Sequence, residues 1–388
     1  MTPFSFILQK NPPLLEQDFL HEDDRWFALA LHEARLGLGS THPNPPVGCV
    51  IIKDGKLIAK AHHQKAGEGH AESKALELAG EQAKGATLYV TLEPCSHFGK
   101  TPPCADHIIR SGVTRVVYGV LDPNPLVHQN GTKRLLAAGV EVSEVKNPNL
   151  ISQAHSLIAP FAKYIREKKP WVLAKVAASL DGKIALRPDE KTAITHNASQ
   201  EVCHQLRLFC DAILVGSNTV LIDDPKLTVR LDNHANPSHP LRVVLDSHLR
   251  THPSHQVYQK KLGRSVVIHT LKASPSQIQL FDQAGVTRIE VPESLGHVDL
   301  DAALCTLGTL GITSVIIEGG QKIMSSFLKN NLIDETWWFT SPIILGDQGV
   351  SSVDNFDSTP PKHPIFLENI FHTSLSPDFL CVGRNQRL

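Results

Sequence analysis

The stretch Val47–His62, VGCVIIKDGKLIAKAH, holds two apolar runs, Val47 to Ile52 and Leu57 to His62, around Asp54-Gly55. Asp-Gly between such runs predicts a β-hairpin with a tight turn. Helical periodicity precedes it, through Phe27, Ala30, Leu31 and Ala34 in Asp24–Leu36, ending near Gly37 and Gly39. After it come a helix over His70–Ala79, a strand over Thr87–Thr91, a helix over Ala105–Ser111 and a strand over Arg115–Val120. A helix over Thr132–Ala138 and a strand over Val140–Val142 close the run. Helix, hairpin, then helix and strand in alternation describe a sheet with helices on its faces.

A basic run, Arg166 to Lys169 before Pro170, reads as a domain junction, and the pattern then restarts. Strands are expected at Trp171–Val176, Ala212–Val215, Leu241–Leu245, Ser265–His269 and Ser314–Ile317, with helices at Ser199–Arg207 and Lys322–Lys329. Leu231 to Pro240 reads as a polar surface loop. The chain therefore divides into an N-terminal extension, residues 1–21, and two α/β domains, residues 22–169 and 170–388. A length of 388 residues with 41% hydrophobic and 20% charged residues suits two soluble cores. The start carries apolar patches but no basic region or cleavage site of a secretory signal, and no run is apolar enough to span a membrane. The formal net charge is −1, so the overall basic field of a nucleic-acid binder is missing. Seven cysteines, an odd number, do not read as a disulfide framework, and a cytoplasmic protein is expected. Oligomeric state is not legible.

The chemistry-bearing residues of the first domain are His70-Ala71-Glu72, Pro94-Cys95 and Cys104. One imidazole and two thiolates suit Zn²⁺ and leave a fourth tetrahedral position for water, whose pKa the metal pulls down to about 7. Glu72, two residues beyond His70, is placed to take a proton from water and deliver one to a leaving amine. His-x-Glu with Pro-Cys and a second Cys is the signature of zinc nucleobase deaminases. Cys104 opens a predicted helix, where the helix dipole favours a thiolate. The competing reading is a structural zinc, which would want a fourth protein ligand from His97 or His107, or two buried free cysteines.

The general signature spaces its cysteines Cys-x-x-Cys, whereas here eight residues, Ser96 to Pro103, lie between them. The run Thr91-Leu92-Glu93-Pro94-Cys95-Ser96-His97-Phe98-Gly99-Lys100-Thr101-Pro102-Pro103-Cys104 closely resembles the bifunctional deaminase/reductase of riboflavin biosynthesis. So do Pro43-Asn44-Pro45, Gly69-His70-Ala71-Glu72 and Asp122-Pro123-Asn124-Pro125. That resemblance implies a cytidine-deaminase-like α/β/α domain in which His70, Cys95 and Cys104 hold zinc and Glu72 shuttles the proton. It also implies that Asn44, His63 and Lys100 contact a pyrimidine. An amide for a base edge, an imidazole, and a cation for a phosphate are chemically apt choices.

The second domain lacks Gly-x-Gly-x-x-Gly after a strand, so the usual dinucleotide fingerprint is absent. Ile316-Ile317-Glu318-Gly319-Gly320 runs into a predicted helix, an arrangement that lets backbone N–H groups approach a pyrophosphate. Gly216-Ser217-Asn218-Thr219 reads as a second polar turn, and Arg207 and Arg230 could clamp a phosphate or form surface ion pairs. The resemblance continues here, through Lys175, Ser179-Leu180-Asp181-Gly182-Lys183, Asp223-Asp224-Pro225 and Leu227-Thr228-Val229-Arg230, and covers roughly residues 22 to 350. It implies a dihydrofolate-reductase-like α/β domain that uses NADPH. By position, Ala177, Ala193, Thr219, Asp223, Ser247 and Gly320 to Ser326 would border the cofactor. Lys191, Arg207, Leu227, Arg230 and Glu318 would face a phosphoribosyl substrate.

One departure stands out. The family commonly reads Trp-Ile-Thr-Ser where this chain has Ala193-Ile194-Thr195-His196. Altered cofactor contact is expected there. The expected function is deamination of 2,5-diamino-6-ribosylamino-4(3H)-pyrimidinone 5′-phosphate, followed by NADPH-dependent reduction of ribosyl to ribityl. The partners would be small molecules, with neither nucleic acid nor membrane involved. Two rivals stand beside it: a deaminase whose second domain is a degenerate binding or oligomerisation module, and a nucleic-acid deaminase.

Overall fold

The computed structural model describes residues 2–8, 19, 21–96, 102–125, 128–232, 237–354 and 364–386. Lys100 and His97 lie outside these residues, as do 233–236 of the expected loop. The chain forms two compact units, one of residues 9–168 and one of residues 169–388 together with residues 2–8.

The first unit runs α1 (Glu22–Leu36), β1 (Gly48–Lys53), β2 (Lys56–His62), α2 (Ala71–Ala79), β3 (Thr87–Leu92), α3 (Cys104–Arg110), β4 (Arg115–Val120), α4 (Asn130–Ala137), β5 (Glu141–Glu144) and α5 (Pro148–Glu167). The hairpin is joined at Asp54 and Gly55, both at positive φ (51° and 69°), the backbone of a tight turn whose twist matches that of the strands. The sheet order is β2-β1-β3-β4-β5, with β1 antiparallel to β2 and β3, and β3, β4 and β5 mutually parallel. Period-2 alternation feeds two cores. Val50 and Ile52 of β1 join α1 and α5 on one face, while Cys49 and Ile51 join α2, α3 and α4 on the other.

Helix α5 was not expected from the sequence, because Pro160 lies inside it. Its start was nevertheless legible: Asn147 caps Asn149 N (3.0 Å) and Leu150 N (3.4 Å), and Pro148 occupies the first turn. Such a cap is worth about 1 kcal/mol. Burial of Leu150, Ala154, Leu157 and Ile158 against α1 and the sheet overrides the internal proline. The basic run ends this helix, with Lys168 in left-handed conformation at its C-cap.

The second unit runs β6 (Trp171–Ser179), β7 (Lys183–Ala185), α6 (Asn197–Phe209), β8 (Ala212–Gly216), α7 (Ser217–Asp223), β9 (Leu241–Leu245), β10 (Ser265–His269), α8 (Pro275–Ala284), β11 (Thr287–Glu290), β12 (Glu293–Ser294), β13 (His297–Val298), α9 (Leu300–Thr309), β14 (Ser314–Ile317), α10 (Gln321–Lys329), β15 (Glu335–Ser341), β16 (Val350–Ser351), β17 (Leu367–Leu375) and β18 (Asp378–Asn385). Nine strands form one sheet in the order β11-β10-β9-β8-β14-β6-β15-β18-β17. It is parallel from β11 to β15, and antiparallel beyond. Val172, Ala174 and Val176 of β6 pack with Leu304 and Leu307 of α9 and Met324 and Phe327 of α10.

Two expectations need correction here. Ser217-Asn218-Thr219 is the first turn of α7 and not an open turn, because Val220 is buried and pulls the segment into a helix. The expected N-terminal extension is not a separate segment throughout: residues 2–8 belong to the second unit, where Phe4 is 1% exposed and Phe6 meets Phe209 of α6 edge-on at 5.4 Å.

Candidate active sites

In the first unit the sheet delivers three donors to one point. His70 is the N-cap of α2, Cys104 the first residue of α3, and Cys95 follows β3. His70 Nδ1 lies 3.2 Å from Cys104 Sγ and 3.6 Å from Cys95 Sγ, and all three ligand atoms fall within 4.8 Å of one another. Tetrahedral zinc with Zn–S and Zn–N bonds of normal length separates its ligand atoms by about 3.4–3.8 Å, so this donor set fits zinc. Cys104 N donates to Cys95 Sγ at 3.3 Å. The Cys104 donors and His70 hold the Cys95 thiol well below its ordinary pKa, while the Cys95 sulfur and burial push Cys104 up.

The Cys95 loop is clamped from two sides. Ala105 N donates to Cys95 O at 3.1 Å. Glu93 accepts the backbone N–H groups of Gln129 (2.9 Å), Gly131 (3.2 Å) and Thr132 (3.2 Å) at the start of α4. A Cβ on Gly131 would sit 1.8 Å from Pro94 O, so only glycine allows this approach.

Glu72, on the first turn of α2, is 4% exposed. Burial raises its carboxyl to about 7, against the opposing pull of His70. Beside it His63, 2% exposed, places its ring 5.6 Å from that of His70. His63 Nδ1 faces Gly69 O at 3.2 Å and must carry the hydrogen, so Nε2 accepts from Asn44 Nδ2 at 3.0 Å. Burial lowers the His63 pKa, keeping the ring neutral in that tautomer. His70, Cys95, Cys104, Glu72, His63 and Asn44 are thus brought together.

In the second unit the expected residues gather at the carboxyl ends of parallel strands, where open α/β sheets bind ligands. Ala177 lies on β6, Thr219 and Asp223 on α7, Ser247 just after β9, and Glu318, Gly319 and Gly320 between β14 and α10. A Cβ on Gly320 would meet nothing within 4 Å, an open cradle at the N-terminus of α10 that suits the pyrophosphate of a dinucleotide. Lys191 lies near enough to Asp223 to counter the rise in the Asp223 pKa that burial causes. Leu227 is buried with positive φ (53°).

Arg207 and Glu318 form one bidentate ion pair, Nε–Oε1 2.6 Å and Nη2–Oε2 2.7 Å, with side chains 12% and 11% exposed. Arg207 Nη1 also donates to Thr228 O at 3.0 Å. Burial alone would raise Glu318, but Arg207 outweighs it and holds the carboxyl at about 2. The more exposed Arg230 shares this wall: its backbone N–H donates to His204 Nδ1 (3.2 Å), and Nη1 donates to Thr228 Oγ1 (3.3 Å). His204 escaped sequence reasoning, since nothing sets it apart from the other histidines until α6 brings it to Arg230.

The departure at His196 has a structural partner. His196 Nδ1 pairs with Asp378 Oδ1 at 2.9 Å, while Asp378 Oδ2 accepts from His196 N (2.8 Å) and Ser199 Oγ (2.7 Å). Asp378, on β18, thus caps α6 and anchors the segment carrying Ala193, which is exposed. A residue 182 positions away gave no signal in the sequence.

Residues 20–120 match the family model of the cytidine and deoxycytidylate deaminase zinc-binding region, and residues 170–371 match that of the RibD C-terminal domain. The riboflavin biosynthesis protein RibD of Escherichia coli (strain K12) is 41% identical over 84% of this chain and 89% of its own. Its counterpart in Aquifex aeolicus is 40% identical over 86% and 92%. The solved structure of Acinetobacter baumannii RibD superposes with a TM-score of 0.83 at 35% identity, covering 94% of this chain and 99% of that one. A Thermotoga maritima diaminohydroxyphosphoribosylaminopyrimidine deaminase/5-amino-6-(5-phosphoribosylamino)uracil reductase gives 0.80 at 35% identity, covering 94% and 99%. With a His–Cys–Cys zinc site in one unit and a reductase fold in the other, the chain belongs to the RibD family of bifunctional deaminase/reductases of riboflavin biosynthesis.

Proposed function

We propose that the first unit hydrolyses the exocyclic amine of 2,5-diamino-6-ribosylamino-4(3H)-pyrimidinone 5′-phosphate and that the second reduces the ribosyl group of the product to ribityl. The observation that carries the first half is Glu72, buried on the first turn of the helix that His70 caps, beside three zinc donors. Bound at His70, Cys95 and Cys104, zinc supplies the Lewis acidity that brings water's ionisation into the neutral range. Glu72 takes a proton from water and returns one to the departing amine, so that C–N is exchanged for C–O and ammonia leaves. His63 and Asn44, fixed by one tautomer, orient the pyrimidine, and the charge of Lys100 suits its phosphate.

In the second unit NADPH, when bound, supplies the hydride. Gly320 cradles its pyrophosphate, with Ala177, Ala193, Thr219, Asp223 and Ser247 along its length. Lys191, Leu227 and Arg230 face the substrate. The Arg207–Glu318 pair forms the rigid floor beneath it, with Arg207 donors left over for the phosphate. Retention of that pair and of the open Gly320 cradle supports a working reductase over a degenerate module. Seven free cysteines fit a cytoplasmic setting. Among the described residues no helix is long and apolar enough to cross a membrane.

The test is mass-spectrometric identification of products from the phosphoribosyl pyrimidine with and without NADPH. The deaminated ribosyl compound is expected without it and the ribityl compound with it. Release of ammonia with no NADPH-dependent product would leave only the first half standing.

A further inference from the structure

Resting on the reductase reading above, we propose that Arg250 selects the phosphorylated dinucleotide. Its guanidinium would receive the 2′-phosphate of the cofactor's adenosine ribose, with the hydroxyls of Ser217 and Ser247 completing the cradle.

The sheet order dictates where the adenosine end must lie. From β6, which carries Ala177, the strands run outward through β14, with Gly320 at its end, to β8 and then β9. A dinucleotide with its nicotinamide toward β6 and its pyrophosphate at Gly320 carries its adenosine half over the ends of β8 and β9. Residues 246–251, which leave β9, form that end of the crevice.

Arg250 is aimed into it. Nη2 donates to Ser217 Oγ (2.6 Å) and Asn218 Oδ1 (2.8 Å) at the start of α7, bridging the ends of β8 and β9. Its Nε and Nη1 edge has no protein partner among the described residues. Arg207, Arg115, Arg134 and Arg288 each pair with a carboxylate, whereas the described residues give Arg250 only neutral acceptors. Its charge is therefore uncompensated at the position where a phosphate dianion would arrive. Ser247 Oγ accepts from Val298 N (3.0 Å) and Ser217 Oγ from Arg250, so both hydroxyls keep a hydrogen to donate.

The turn that presents Arg250 is over-determined. Asp246 Oδ2 accepts from Thr251 N (2.8 Å) and Thr251 Oγ1 (2.9 Å). Leu249 adopts a left-handed backbone (φ 52°) with its side chain fully buried. A non-glycine residue persists there only where the surroundings enforce it, typically at sites that clamp ligands.

The test titrates the full-length protein with adenosine 2′,5′-bisphosphate, 5′-AMP and ribose 5-phosphate by calorimetry. Arg250→Ala should weaken the bisphosphate by roughly ten- to a hundredfold and leave 5′-AMP unchanged, with NADPH losing its advantage over NADH. Arg250→Lys should keep part of that advantage. Thermal unfolding and ammonia release serve as folding controls, and Arg250→Gln takes the place of the alanine variant if it unfolds. Unaltered bisphosphate affinity, or equal loss for bisphosphate and AMP, overturns the proposal while leaving the reductase reading in place. Weakened ribose 5-phosphate alone would assign Arg250 to the substrate and overturn it too. If the parent protein binds neither NADPH nor NADH, the reductase reading fails first.

Discussion

Glu72 and Glu318 are both deeply set glutamates beside a proposed reaction centre, and their protons behave in opposite ways. Burial raises Glu72 to about 7 against the opposing pull of His70 and of hydrogen bonds, whereas the Arg207 guanidinium overcomes burial and holds Glu318 at about 2. The first is left free to exchange a proton near neutral pH; the second is locked as a permanent anion. The deaminase site is thus built for proton transfer, and the reductase site for rigid placement of a substrate and a cofactor that bring their own chemistry.

The sharpest break between the two sites should come from the metal donors. Cys95→Ser or Cys104→Ser should release zinc and abolish ammonia production, while reduction of a pre-deaminated substrate survives. Elemental analysis with full zinc occupancy in both variants would refute the assignment. Glu72→Gln should keep zinc yet slow ammonia release by about 10²–10⁴-fold, because an amide cannot carry the proton. Near-normal ammonia release would name another base.

On the other side, Arg207→Ala leaves the Glu318 carboxylate buried without its cation, which should destabilise the second domain by about 3–5 kcal/mol. The sign with pH follows from the lowered Glu318 pKa. The pair's stabilisation is present above the unfolded value of 4.5 and is lost as pH falls toward about 2. Calorimetric unfolding of parent and variant between pH 7 and pH 3 should therefore converge in acid, and a constant gap would argue against the pair.

A third buried acid provides the contrast. Glu335, fully buried, accepts from Trp171 Nε1 (3.1 Å) and Trp337 Nε1 (2.7 Å), but burial prevails and raises it to about 7. Its folded pKa lies above the unfolded 4.5, so stability is fully present below 4.5 and is lost as pH rises through about 7. The loss amounts to about 3 kcal/mol. Glu335→Gln should flatten that slope, and a parent protein whose melting temperature is constant from pH 5 to pH 8 would contradict it.

The mildest expected effect is at Arg230. Arg230→Ala should cost about 1.5–3 kcal/mol of substrate binding, seen as a ten- to hundredfold rise in KM for the phosphorylated substrate with ammonia release intact. Equal weakening of a dephosphorylated substrate would place Arg230 in the scaffold.

The two sites also differ in how much of them can be read before folding. Zinc ligation needs particular donor atoms, so His70, Cys95 and Cys104 announce it wherever they stand, and Glu72 follows within two residues. Hairpin and strands were equally legible, because Asp54-Gly55 and the period-2 alternation are local. By contrast α5 was masked by Pro160, whose cost only the burial of its apolar face offsets. The Arg207–Glu318 pair spans 111 positions and the His196–Asp378 pair 182, so no spacing rule could join them. Arginine and glutamate are common surface residues, and a sequence cannot say which of them face each other out of water. Composition and donor chemistry thus determined that this protein carries a metal site and two α/β units. The partner of each buried charge was decided only when the strands lined up, because desolvation and pairing are properties of three-dimensional neighbours.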